Sequence, residues 1–204
     1  MEEEMSNPET ASITSRQWIA ASGFGWIAGV VLVIVTSVLF DAIGLEGFQF
    51  YLGISIGGGV GLLQWRLLRR IGHIDAGWIW SSIFGMGFPF LLNDLLSRSG
   101  AFSFGSYFLP VSVFSGAVVV SAWQYKILSP LTSAAPRWPV ASFAGWIAAA
   151  LMVLGVDVVK QFISHNMLLF FINLVLIFAG GFVLGGISGP AMSRCIASIK
   201  ESDS

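Results

Sequence analysis

Residues 18–40 contain no charged side chain. About 20 helical residues cross the hydrocarbon core of a bilayer. A chain in lipid satisfies its backbone polar groups only as a helix or a closed barrel. The stretch therefore reads as a membrane helix. Five similar stretches follow, at 48–67, 76–96, 106–128, 138–156 and 166–192, with charge only near their ends. The sequence thus predicts an all-α membrane protein of six transmembrane helices. Composition agrees: charged residues are 10% of the chain and mean hydropathy is +0.82, which leaves too little charge to cover a soluble domain.

Lys and Arg set the orientation, because cytoplasmic loops carry the excess of them. With six crossings, Arg16, Arg66, Arg69, Arg70, Lys126, Arg137, Arg194 and Lys200 share the side of both termini, and Arg98 and Lys160 lie opposite. Eight against two places both termini in the cytoplasm. Residues 1–15, with Glu2, Glu3, Glu4 and Glu9, read as a polar tail. They lack the basic start of a signal peptide. Residues 16–195 read as one membrane domain and 196–204 as a second cytoplasmic tail.

The domain repeats itself. Trp18, Ser22 and Gly25 return as Trp78, Ser82 and Gly85, then as Trp138, Ser142 and Gly145, each set 60 positions on without a gap. Fixed-period similarity marks a duplicated supersecondary unit. The units, 16–75, 76–135 and 136–195, each hold an outgoing and a returning helix. Three parallel hairpins about an axis along the membrane normal follow. Tryptophan at the start of each outgoing helix suits the headgroup layer, so Trp18, Trp78 and Trp138 are expected as interface anchors.

The serine and glycine fall on the same helix face as that tryptophan. Small residues let backbones approach, and the hydroxyl can bond across helices. Ser22, Gly25, Ser82, Gly85, Ser142 and Gly145 are therefore expected to form a packing seam, with a ligand-lining groove as the alternative. The returning helices supply Gly57, Gly61, Ser121, Gly181 and Gly185, several of them in small-xxx-small pairs. Gln64-Trp65-Arg66 of the first unit is matched by Gln124-Tyr125-Lys126 of the second, whereas the third has Leu184-Gly185-Gly186.

This unit, W-x3-S-x2-G-W outgoing and G-x2-Q-W-x2-L-R-R returning, resembles hairpins of uncharacterised multi-pass membrane proteins of bacteria. The resemblance covers most of 16–195. It implies a repeated-hairpin fold in a bacterial cytoplasmic membrane, and no chemistry. The three-hairpin solute carriers of mitochondria share the plan, but their proline–acid–basic signature is missing.

Gln64 and Gln124 are candidate ligand or lipid contacts near the axis, or else interhelical hydrogen bonds. Arg66, Arg69 and Arg70, beside His73, can attract anionic headgroups as well as set topology. Asp41, Glu46, Asp94, Asp157 and His165 are expected at the outer surface as solvated helix ends, Asp94 the deepest. Cys195 reads as a small residue just past the last helix, and one cysteine gives no internal disulfide. Pro89 can kink the third helix.

No phosphate-binding loop, zinc motif or nucleophile elbow occurs, and no cofactor or metal is called for. A net charge of −1 gives no reason to expect nucleic acid. Three functions stay open. The first is a non-catalytic accessory or scaffold component that packs against membrane-protein partners, lipids or further copies of itself. The second is a small-solute transporter or channel, with a polar path along Gln64, Gln124, Ser82, Ser142 and Asn173. The third is a membrane enzyme acting on lipids.

Overall fold

The computed structural model describes residues 13–71 and 74–202, with side chains through Ile199. His73 and the acidic residues Glu2, Glu3, Glu4 and Glu9 lie outside the described residues. All regular structure described is helical: α1 Ser15–Ala42, α2 Phe50–Leu68, α3 Gly77–Arg98, α4 Phe108–Leu128, α5 Trp138–Val159 and α6 Asn166–Ser202. Each helix packs against its neighbours in the chain, and α6 packs against α1, so the six close into a ring.

Five of the six, all but α2, are long and apolar enough to cross a membrane. Helix α2 has 19 residues and falls short in apolarity. Its glycines, at 53, 57, 58, 59 and 61, and its polar Gln64 and Arg66 replace large apolar side chains.

Local chemistry sets the ends. Thr14 caps α1 by accepting from the Gln17 amide, while the Gln17 side chain accepts from the Thr14 amide. This is a capping box. Gly44 and Gly47 have positive φ, 78° and 74°, which glycine adopts without strain in the α1–α2 turn. Helix α2 has no side-chain cap of its own. Instead Asp94 of α3 supplies one, its Oδ2 accepting from the amides of Gln49 at 2.8 Å and Phe50 at 2.7 Å. A carboxylate at a helix N-terminus satisfies orphan N–H groups and opposes the dipole.

Two expectations about the tails change. Ile13 is buried rather than part of a free tail, and α6 runs as helix through Ser202. Ile196 and Ile199 are buried on it, as is Cys195, which lies within the helix rather than beyond it. Among the described residues, Ile13 before α1 and Ile196 and Ile199 on α6 are buried, and α6 remains helical where composition alone reads as tail.

The glycines of the small-residue stripe lie against backbone and side-chain atoms of the neighbouring helices. A Cβ at Gly25 would lie 2.7 Å from the Gly59 carbonyl oxygen, and one at Gly61 would lie 2.6 Å from the Ser82 Cβ. Gly57 sits against the Ser82 carbonyl, Gly85 against Val120, Gly145 against Leu184, Gly181 against Ser22 and Trp26, and Gly185 against Ile19. Ser121 is buried on α4, its hydroxyl without a partner among the described residues. Pro89 is buried inside α3, which continues through it.

Candidate functional site

The starts of α1, α3 and α5 meet on their tryptophans. Trp18 and Trp78 lie edge-to-face at 6.1 Å, Trp18 and Trp138 at 5.7 Å, and Trp78 and Trp138 are tilted at 5.5 Å. These separations fall in the favourable range for aromatic pairs. All three rings are fully buried, at most 1% exposed. Trp18, Trp78 and Trp138 are therefore not interface anchors. Their helices bring the indoles inward to one another, where they fill the middle of the ring instead of facing headgroups.

A buried indole N–H needs an acceptor. Trp138 donates to Gln124 Oε1 at 3.2 Å, Gln124 Nε2 donates to Ser82 Oγ at 3.1 Å, and Ser82 donates to the Trp78 carbonyl at 3.1 Å. Trp78 donates to Gln64 Oε1 at 3.2 Å, and Gln64 Nε2 donates to Ser22 Oγ at 2.9 Å. Trp18 instead donates to Ser188 Oγ at 2.9 Å, and Ser188 donates to the Leu184 carbonyl at 2.7 Å. Every helix contributes to this layer. Gln64 and Gln124 do not face each other; each joins a serine of one neighbouring helix to a tryptophan of the other.

The third position departs from the pattern in an informative way. Leu184 stands 60 residues after Gln124, and Ser188, one turn on, takes the indole proton. Ser188 belongs to none of the motifs repeated between the units. The tryptophan without a matching glutamine was the signal for it. The first two units have leucine, Leu68 and Leu128, where the third has Ser188.

Replacing Gln124 by Leu strands the Trp138 indole, while Ser82 keeps its bond to the Trp78 carbonyl, and a buried unpaired group costs about 1–3 kcal/mol. Interhelical bonds in membranes average about 0.6 kcal/mol by double-mutant cycles. A loss of about 1–2 kcal/mol is expected for Gln124→Leu in detergent unfolding. Gln124→Leu/Leu128→Ser should recover part of it by copying the α6 solution.

Outward of this layer lies an apolar cavity of about 320 Å³. All six helices line it, with Trp26, Gly53, Met86, Val113, Trp146 and Ile177 among the lining residues. None of the lining residues is charged, and the Trp26 indole already donates to the Ile177 carbonyl at 2.8 Å. Hydropathy did not foretell the cavity.

The outer-end residues have local duties. Asp94 is buried, with Asn93 beside it donating to Ser112 at 2.7 Å, so it does not lie at the surface as expected. Asp157 pairs with Lys160 at 2.9 Å on an exposed turn, and His165 Nδ1 accepts from the Leu168 amide at 3.4 Å. The Arg98 guanidinium covers the Phe48 ring at 3.8 Å and donates to the Glu46 carbonyl. At the other end Arg66, Arg69 and Arg70 are exposed, Arg69 lying 5.3 Å from the Trp65 ring centre. Asn173 Oδ1 is buried without a partner among the described residues. No group of three or more His, Cys, Asp or Glu that could hold a metal ion occurs among the described residues.

No protein-family model, curated protein or solved structure matches this chain.

Proposed function

We propose that this is a non-catalytic integral protein of a bacterial cytoplasmic membrane, an accessory or scaffold component that packs against membrane-protein partners or lipids. The chain crosses six times as three parallel hairpins, with both termini cytoplasmic. Helix α2 makes the sixth crossing: its 19 residues are about 28 Å long at 1.5 Å per residue, close to the thickness of the hydrocarbon core. Eight Lys and Arg on the inner side against two on the outer support that orientation. The resemblance to bacterial repeated-hairpin proteins supports the compartment.

The observation that carries the functional reading is the closed hydrogen-bond layer. Gln64 and Gln124, the polar side chains best suited to a solute, are spent on serines and indoles of the same chain. What the protein offers to others is its apolar outer surface, rich in exposed Phe, Leu and Val. The exposed Arg66, Arg69 and Arg70 suit anionic headgroups, at about 1 kcal/mol for each charge.

Gentle extraction from the native membrane followed by mass spectrometry tests this. Reproducible, stoichiometric co-purification with defined membrane subunits is the expected result. A protein that comes out alone, and whose vesicles show solute flux that falls in Gln64→Leu/Gln124→Leu, would replace this reading with the transporter.

A further inference from the structure

We propose that the apolar cavity on the outer side of the tryptophan layer is a binding site for one acyl chain of a membrane phospholipid. The inference rests on the membrane-embedded reading above.

The cavity's size and lining identify the ligand class. At about 320 Å³ it is roughly twice the ~150 Å³ apolar cavity that stays dry and takes benzene. Water finds few partners there, since the lining is aliphatic and aromatic and the Trp26 N–H is occupied, which leaves the Trp146 indole as the lining donor. A hydrocarbon chain fits that chemistry. From Trp26 to Val33 the lining rises seven residues along α1, about 10 Å at 1.5 Å per residue. That height and volume suit the end of a single chain.

The walls differ in a way that says where such a chain enters. On α2, α3 and α4 four of the seven lining residues are buried, Gly53, Met86, Phe90 and Val113, with Leu52, Ile56 and Leu109 half-buried. On α1, α5 and α6 its lining is Val30, Val33, Ala150, Val153 and Ile177, besides the floor tryptophans Trp26 and Trp146. Those five residues come from stretches without one buried residue, 30–42, 150–159 and 166–179. Inward of them the same three helices are tightly joined, with Gly181 against Trp26, Gly185 against Ile19 and Gly145 against Leu184. The outer part of the α1–α5–α6 side is therefore the loosely packed wall, and the medium outside it is the bilayer. A lipid chain entering there meets Trp26, Trp146 and Met86 at the floor and makes dispersion contacts with them.

The test uses the full chain in phosphatidylcholine vesicles doped with a phosphatidylcholine that carries a diazirine near the end of one acyl chain. Label is mapped by peptide mass spectrometry after illumination. Label on Val153, Ile177 or Leu109 is expected, in addition to the exposed Phe170 and Val175. Label on the lining residues should be lost in Ala150→Trp, which fills the cavity, while the exposed positions stay labelled. If Ala150→Trp does not fold, Leu109→Trp serves the same purpose from α4. Label on the exposed positions alone, or lining label that persists in the filled variant, would overturn the proposal. Lining label from a diazirine fatty acid but not from the phospholipid would overturn the phospholipid as its source. Absence of label from Phe170 and Val175 as well would instead contradict the membrane-embedded reading.

Discussion

Trp78→Ala should unfold a large share of the protein under conditions where the parent chain stays folded. The indole has no exposed surface and touches both Trp18 and Trp138. Removing a large buried aromatic costs roughly 3–5 kcal/mol in soluble cores. In lipid the transfer part of that cost shrinks, because the surroundings are as apolar as the core. The lost dispersion contacts and the void remain. The deletion also leaves Gln64 Oε1 without its donor, for about another 1–3 kcal/mol. A net loss of about 3 kcal/mol or more is expected from unfolding curves in mixed micelles.

Trp78→Phe separates the two causes. It keeps a six-membered ring against Trp18 and Trp138 but loses the pyrrole ring with its N–H, so it should cost about 1–2 kcal/mol, well below the full deletion. Equal losses in the two variants would mean that the hydrogen bond, and not ring packing, holds the layer.

Gly57→Ala should be strongly damaging, and Gly58→Ala beside it nearly harmless. A Cβ at Gly57 would overlap the backbone carbonyl of Ser82, which cannot rotate away, so α2 and α3 must separate. Overpacking typically costs about 1–3 kcal/mol, and a backbone obstacle puts this site at or above the top of that range. At Gly58 the nearest atom is Ile83 Cγ1 at 3.5 Å, an ordinary contact. Alanine is also favoured over glycine in a helix by about 1 kcal/mol. The pair differs by one position, so composition and hydropathy are matched. Similar thermal stabilities for the two variants would contradict the seam.

The seam was legible in the sequence because it is a spacing argument. Residues four and three apart share a helix face, and only small ones admit another backbone. The helix positions were legible too: α5 begins at Trp138 and α6 at Asn166, as hydropathy placed them. The burial of the three tryptophans is not legible in the sequence, for a physical reason. An indole at the start of a membrane helix satisfies the headgroup layer and a buried hydrogen-bonded core equally well, and a single helix does not say which. The clue lay in combining lines: each Trp shares a helix face with a small-residue seam, and a seam faces protein.

The cavity was beyond the sequence altogether. In a soluble protein, apolar residues mark the interior. In lipid, the residues facing an inner void and those facing the bilayer have the same chemistry, so Val33 and Val35 differ only by where α1 turns them. The tails were hidden by the opposite effect. Single apolar residues such as Ile13 and Ile199 are buried within stretches whose average composition is polar.

Hydrogen exchange of the tryptophan indole N–H groups, followed by ¹⁵N NMR of the protein in micelles after transfer to D₂O, tests the closed layer most directly. The donors of Trp18, Trp78 and Trp138 are each bonded inside a buried layer that touches all six helices, so their signals should persist for hours. Loss of the Trp78 and Trp138 signals within the mixing time would put water at Gln64 and Gln124. That result would contradict the closed core and favour a polar path through the ring.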